Sequence, residues 1–239
     1  MVRQIATVST LVERWRGQLL DLVFPPRCVN CRRVGAGLCP DCLSKVQLVT
    51  PPFCSRCSHP LQYADQSCAQ CRLHPLHIGQ IRAVAYHEGP VREAIHALKY
   101  NQRTDLVAPL CDQLESHLGR SPVEFDLITA VPLAPLRLRA RGYNQAELLA
   151  RALAARHSRP YVGGLQRLRE TADQIGLGPK ARRENVDGAF QAEGVLFRGQ
   201  RILLIDDVCT TGATLDACAV ALTQQGAKAV VGLTVARPR

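Results

Sequence analysis

Eight of the eleven cysteines in this 239-residue chain fall in four Cys-x-x-Cys pairs: Cys28/Cys31, Cys39/Cys42, Cys54/Cys57 and Cys68/Cys71. Two residues between thiolates let one tight turn aim both sulfurs at a single ion, and two such turns complete a tetrahedral zinc site. Seven residues separate Cys31 from Cys39 and ten separate Cys57 from Cys68, each the length of a short hairpin. The spacing favours Cys28, Cys31, Cys39 and Cys42 on one zinc and Cys54, Cys57, Cys68 and Cys71 on a second. Thr50-Pro51-Pro52 reads as the break between them. A cross-braced pairing would use the same ligands. A redox dithiol occurs once, near a βαβ pattern, not four times in tandem. Four protein ligands leave no open position, so both ions are expected to be structural. Few apolar residues lie between Pro25 and Leu76. This segment is therefore expected to need its metal in order to fold.

The second chemical signal is the stretch from Arg201 to Leu215. Ile202 to Ile205 is wholly apolar, as in a parallel strand buried on both faces. Asp206 and Asp207 follow, then the small residues Cys209, Thr210, Thr211, Gly212, Ala213 and Thr214, then an apolar helical pattern. A strand, loop and helix N-terminus in this order offers backbone N–H groups and a positive dipole end to a phosphate. The threonines add hydroxyl donors, and Gly212 permits close backbone approach. Ionised carboxylates repel phosphate but accept from hydroxyl groups. A ligand with a phosphate at one end and vicinal hydroxyls beside it, such as ribose 5-phosphate, satisfies both halves. The Gly-x-x-x-x-Gly-Lys spacing of a Walker A loop is absent.

The net charge of +10 is unevenly placed. Between Pro132 and Arg183, eleven Lys/Arg face only Glu147, Glu170 and Asp173, an excess of eight positive charges. Such clustering concentrates anions, whether nucleic acid or polyphosphate. Cys111 and Cys218 sit in apolar helical patterns and are expected to be buried thiols. Cys209, in the loop, is expected to be unusually acidic.

These groups must be held by the elements around them. The chain reads as a helix (1–22), ribbons (24–77), strand (81–87), helices (90–100 and 105–118), strand (126–131), helix (143–156) and strand (160–168). A polar lid (170–187), strand (201–206), helix (213–225) and strand (228–236) complete it. Alternating strands and helices argue a mostly parallel sheet with right-handed crossovers, an α/β fold. Gly226 sits where a helix C-cap glycine belongs. The N-terminal apolar residues, from Ile5 to Leu19, alternate with charges, which reads as an amphipathic helix and not a secretory signal. No apolar stretch approaches the roughly 20 residues of a membrane span. The chain is expected to be cytoplasmic.

Leu203-Leu-Ile-Asp-Asp-Val-Cys-Thr-Thr-Gly-Ala-Thr214 resembles the 5-phosphoribosyl pyrophosphate (PRPP) signature of type I phosphoribosyltransferases. Further features are Phe24-Pro25-Pro26-Arg27-Cys28 opening the double ribbon, Tyr86 with Gly89, and Ala94 to Tyr100. Arg141-Gly142-Tyr143-Asn144-Gln145 and Arg182, Arg183, Asn185, Val186, Ala189 and Phe190 complete the pattern. Together they look like the ComF/GntX family, over nearly the whole chain from about Phe24. The resemblance implies an N-terminal helix (1–23), a double zinc ribbon (24–77) and a domain of the type I phosphoribosyltransferase kind (78–239).

It also implies roles. Asp206 and Asp207 would hold the ribose hydroxyls, and Cys209, Thr210, Thr211, Gly212, Ala213 and Thr214 would wrap the 5-phosphate. Arg137, Arg139 and Arg141 would face the pyrophosphate together with Mg²⁺. Arg139 and Arg141 are the residues expected to assist catalysis, since a guanidinium fork matches phosphate oxygens. Thr171 to Arg183 would be a mobile lid, although Ala172-Asp173 stands where the family carries a Pro-Pro pair. Two functions are compatible with this. One is transfer of ribose 5-phosphate from PRPP to a nitrogenous acceptor. The other is PRPP binding in a protein linked to DNA uptake in natural competence, with single-stranded DNA held by Arg137, Arg139, Arg141, Arg182 and Arg183. Stacking aromatics are scarce, with Tyr100 and Tyr143 the candidates beside basic residues.

The cysteine spacing predicts two zinc ions per chain. Native mass spectrometry of reduced, tag-free protein is expected to give that stoichiometry; one ion at full occupancy would contradict the two-site grouping.

Overall fold

The computed structural model of the chain describes residues 25–63, 67–169 and 179–239. The expected N-terminal helix and the lid segment 170–178 lie outside the described residues. Two short helices, α1 (Pro40–Leu43) and α2 (Ala69–Leu73), belong to the two ribbons. There follow β1 (Gln80–Tyr86), α3 (Gly89–Tyr100), a 3₁₀ turn (Thr104–Leu106), α4 (Val107–Arg120) and β2 (Leu127–Ala130). Next come α5 (Pro135–Arg141), α6 (Gln145–Arg156), β3 (Leu165–Arg167), α7 (Pro179–Val186), β4 (Phe190–Ala192) and α8 (Gly194–Phe197). The chain closes with β5 (Arg201–Val208), α9 (Ala213–Gln224) and β6 (Ala229–Arg237).

The main sheet has the order β1-β6-β5-β2, and every pair in it is parallel. Because side chains alternate along a strand, β5 serves two cores at once. Leu203 and Ile205 join α3, α4 and α6 through Ile95, Leu98, Leu114 and Leu153 on one face. Ile202 and Leu204 join α9 and the β3–β4 pair through Leu215, Leu222, Leu165 and Phe190 on the other. The helices take the apolar stripes that their spacing demands. In α3, Val91, Ala94, Ile95 and Leu98 are buried, and a proline stands in its first turn, where the missing N–H costs nothing. Gly226, with φ +88°, follows the end of α9, and its N–H bonds Thr223 O at 2.9 Å.

The two ribbons straddle this sheet. Cys28, Cys39 and Cys42 are buried in the core with α3, α4 and α6, whereas Cys54, Cys57, Cys68 and Cys71 are buried in the core with α9. The segment between them runs antiparallel along β1. Val49 N–H bonds Val84 O at 2.9 Å, and Tyr86 N–H bonds Gln47 O at 2.8 Å. An exposed parallel edge is a template for unwanted pairing, and this linker covers it.

Four expectations about elements are corrected. The basic segment after β2, left without an element between the expected strand (126–131) and helix (143–156), is the helix α5, started by Pro135 and stopped by Gly142 at φ +84°. None of its residues is buried, so it carries no apolar stripe by which to be found. The strand expected at 160–168 shrinks to β3, which pairs antiparallel with β4 in a separate two-stranded sheet. Gly164, at φ +103°, breaks the extended run, and only Tyr161 bridges to β2. The C-terminal part of the expected lid is the helix α7, and β4 and α8 follow it unanticipated. Finally, β5 continues past the expected end at 206 to Val208, so Asp207 as well as Asp206 lies within the strand.

Candidate functional site

A cleft of about 480 Å³ opens at the C-terminal end of β5, between α3, the turn after β2 and the β3 strand. In open parallel sheets ligands bind at this end of the strands. Its walls include Asp206, Asp207, Thr210, Thr214, Arg137 and Arg167. The cleft therefore brings together carboxylate acceptors, hydroxyl donors and cations.

The two carboxylates are not equivalent. Successive residues of β5 face opposite cores, so Asp207 turns toward α3 and meets Lys99, with Nζ 2.8 Å from Oδ1. The Asp207 side chain is only 5% exposed, and its Oδ2 has no hydrogen-bond partner among the described residues. Burial alone would lower the Lys99 ammonium, but the Asp207 carboxylate overrides it and holds the group above its ordinary value. Asp206 accepts the Asp207 N–H at 2.8 Å. Burial, with Asp207 next to it, pushes the Asp206 carboxyl up to about 7, while Lys99 and Arg167 pull the other way. An acid raised from its ordinary 3.8 takes up a proton on folding. Its charge therefore weighs against the fold as pH rises between about 4 and 7.

The small-residue loop divides its roles. Thr210 and Thr214 face the cleft. Thr211 Oγ1 accepts the Ala213 N–H at 3.3 Å and shapes the turn. Gly212 takes φ +83°, and a Cβ there would lie 2.7 Å from Ile81 Cδ1. Ala213 is buried as the first residue of α9. Cys209 departs from the expectation of an acidic thiol. It is turned into the core, where burial pushes it up to about 12, and its N–H is already given to Ala236 O at 2.9 Å.

The arginines separate as well. Arg137 lines the cleft. Arg139 is exposed and stands outside the lining. Arg141 donates to Gln145 Oε1 and lies 5.5 Å over the Tyr100 ring, so it faces the end of α3. Arg182 and Arg183 fall in α7, with side chains outside the described residues. Tyr143 donates its hydroxyl to Leu98 O, whereas Tyr100 is 63% exposed beside His96, ring to ring at 4.8 Å. Asn144 caps α6 by accepting the Ala146 N–H at 3.0 Å, and its Nδ2 bonds Val131 O at 2.9 Å at the end of β2.

Lys99, Arg167 and His87 line the cleft without having been singled out from the sequence. Lys99 was visible as a charge four residues after Ile95, on the apolar stripe of α3, where a buried ammonium must find a partner. Burial and Lys99 hold the His87 imidazole below its ordinary value.

The cysteines assemble in the sequential grouping. Within each set of four, the sulfurs lie within 4.8 Å of one another. Cys31 and Cys39 approach to 3.6 Å, and Cys57 and Cys68 to 3.8 Å. Zn–S bonds of about 2.3 Å in a tetrahedron place sulfurs about 3.8 Å apart, so both sets fit zinc. Amide N–H groups point at the sulfurs from outside, as from Cys68 to Cys54 Sγ at 3.2 Å and from Cys39 to Cys28 Sγ at 3.5 Å.

A parallel sheet with this acidic and hydroxyl loop at the end of an inner strand, joined to paired zinc ribbons, defines an α/β protein with a polar cleft at the carboxyl edge of its sheet. The model of the double zinc ribbon domain matches residues 19–72. "DNA utilization protein YhgH" of Escherichia coli K12 is 30% identical over 219 residues, covering 87% of this chain and 96% of that one. "Competence protein F" of Haemophilus influenzae is 29% identical over 222 residues, covering 87% and 95%. The chain belongs to the family of these proteins, the ComF family. Among solved structures, adenine phosphoribosyltransferase from Thermoanaerobacter pseudethanolicus is 17% identical, with 57% of this chain and 82% of that one covered at a TM-score of 0.37.

Removing Lys99 leaves the buried Asp207 carboxylate unpaired. Lys99→Met is expected to cost about 3–5 kcal/mol in denaturant unfolding. The double variant Lys99→Met/Asp207→Asn is expected to recover most of that loss, since neither buried charge is left.

Proposed function

We propose that the cleft binds PRPP or a related phosphoribosyl ligand, and that the protein serves DNA uptake or DNA handling of the competence type. The observation that carries the ligand reading is the acid pair, Asp207 buried and Asp206 half-buried, lining one cleft with Thr210, Thr214 and Arg137. Asp207 Oδ2 lacks a donor among the described residues, and a vicinal diol is such a donor. The threonine hydroxyls and the start of α9 suit a phosphate. Arg137 and Arg167 are the cations placed to balance further phosphate charge. Mg²⁺ would be held chiefly by ligand oxygens and water, as is usual for this ion, with Asp206 and Asp207 as the carboxylates beside it. When bound it would neutralise pyrophosphate charge.

The DNA reading draws on the names of the relatives, "Competence protein F" and "DNA utilization protein YhgH". The basic excess from Pro132 to Arg183 is compatible with it. Arg139 and Arg141 stand outside the cleft lining, with Tyr100 exposed beneath Arg141, so they are better placed for a strand passing the rim than for the pocket.

A second reading is an active phosphoribosyltransferase. It is favoured by the Asp206 carboxyl, which burial and the neighbouring Asp207 push up to about 7 within the cleft. Groups so poised are frequent at sites of proton transfer. Pyrophosphate release from PRPP with a panel of nitrogenous acceptors separates an enzyme from a binder.

Replacing both Asp206 and Asp207 by Asn is expected to weaken PRPP-Mg binding by calorimetry at least tenfold, since each hydrogen bond to a charged group contributes roughly 1.5–3 kcal/mol. The variant leaves Lys99 without its partner and is expected to lose stability while staying folded at the titration temperature; unchanged affinity in the folded protein would refute the diol contacts.

Single-stranded DNA binding, if it neutralises about four phosphates, is expected to show a log–log salt slope near −3. Titration in the presence of saturating PRPP-Mg checks the placement. Competition would show that the cleft cations are shared, and independence would place DNA on the rim.

A further inference from the structure

The second ribbon lies beneath the small-residue loop and is bonded to the chain segment that supports it. Arg56 occupies the turn between the zinc ligands Cys54 and Cys57. Its guanidinium donates to Leu76 O at 2.7 Å, Ile78 O at 2.9 Å and Gly79 O at 2.8 Å. Its own carbonyl accepts the Ile81 N–H at 2.8 Å. Ser58, next to Cys57, donates its hydroxyl to Ile81 O at 2.9 Å and accepts the Ala83 N–H at 3.3 Å. The entry to β1 is thus fastened to the ribbon on one side.

On its other side the same segment holds the loop. Ile78 N–H donates to Asp216 Oδ1 at 2.8 Å, in the first turn of α9. Ile81 Cδ1 fills the place where a Cβ of Gly212 would stand, at 2.7 Å. A further tie enters from β6. Arg237, 3% exposed, donates to Cys57 O and meets His59 Nδ1 at 2.9 Å, while its neighbour Ala236 accepts the Cys209 N–H at 2.9 Å. The first ribbon is held elsewhere. Arg103, just ahead of α4, donates to Arg27 O at 3.1 Å and is paired with Asp105.

We propose that the second zinc ribbon positions the ligand loop, and that Arg56 is the residue that transmits its geometry. With Cys54, Cys57, Cys68 and Cys71 closed on their ion, Arg56 fixes residues 76–81. These in turn fix Gly212 and the start of α9. The two ribbons then have different duties despite their similar sequences: the first stabilises, the second shapes the site. The effect on ligand affinity rests on the phosphoribosyl reading, whereas the effect on the loop does not.

The test uses full-length, zinc-loaded protein with Arg56→Met, Arg56→Lys and Ile81→Val, and with Arg103→Met as the first-ribbon control. Zinc per chain, amide hydrogen exchange over 209–216 and calorimetric binding of PRPP-Mg are measured on each. Arg56→Met is expected to keep two zinc ions, to speed loop exchange about tenfold and to weaken PRPP-Mg about tenfold, the scale of one lost charged hydrogen bond. Arg56→Lys, which keeps the charge but not the fork, is expected to fall between that variant and the parent. Ile81→Val removes only the methyl beneath Gly212 and is expected to loosen the loop even if Arg56→Met fails to fold. Arg103→Met is expected to leave loop exchange and affinity unchanged. The proposal is overturned if folded Arg56→Met and Ile81→Val both keep parental exchange, or if Arg103→Met loosens the loop equally. Should the parent bind no PRPP while the exchange differences hold, the phosphoribosyl reading fails and the positioning role stands.

Discussion

In a strand buried on both faces, consecutive side chains must point into opposite cores, and β5 carries that constraint to its last residues. Ile202 and Leu204 serve one core, and Leu203 and Ile205 the other. The alternation therefore delivers Asp206 and Asp207 to the cleft from two sides. Asp207 falls on the α3 side and needs a cation, which Lys99 supplies at 2.8 Å. Asp206 keeps company with its neighbour's N–H and the field of Arg167. The unequal environments leave one carboxylate paired and the other poised near neutrality, although the two are adjacent in the chain. A turn in place of the strand would have left both in similar surroundings.

The ribbons solve a different problem, that of covering a parallel sheet with a segment poor in apolar residues. Seven of their eight cysteines are buried, with Cys31 exposed, and few other side chains of the segment join them, Leu38 and Val49 among these; metal closure supplies folding free energy that so little apolar burial does not. Each ribbon joins one of the two cores, and the linker between them hydrogen-bonds along the β1 edge. The cysteine module is thereby part of the sheet's packing on both faces. Its second half is closer to the ligand loop than its place in the chain suggests, because β1 lies beside β6 and β6 beside β5.

Charge is distributed to suit. The basic excess is large in sequence, but its members end in different environments. Arg137 and Arg167 line the cleft, Arg141 stacks over Tyr100, Arg151 stacks over Tyr161 at 4.2 Å, and Arg156 pairs with Asp112 and Glu115. A cluster counted along the chain thus divides into site residues, rim residues and surface ion pairs of small individual worth.

Covalent spacing and local pattern were enough to determine much of this protein from sequence. Four Cys-x-x-Cys pairs specify two tetrahedral sites because ligand geometry is local, and the sulfurs come together in the sequential order. The apolar run before Asp206 specifies a doubly buried strand, and the loop after it carries its own chemistry. Helices α3, α4, α6 and α9 were legible because each buries a stripe at helical spacing. Tertiary structure decided what depends on partners distant in the chain. Lys99 meets Asp207 across 108 positions, and the Cys209 thiol is pushed up by burial in a core that only packing creates. The helix α5 has no buried face to betray it, and β3 finds its partner only when the chain returns at Phe190. The fastening of the second ribbon to the ligand loop joins Arg56 to Gly212 through Ile81. No local pattern encodes it, because it arises from contacts between segments that the sheet order brings side by side.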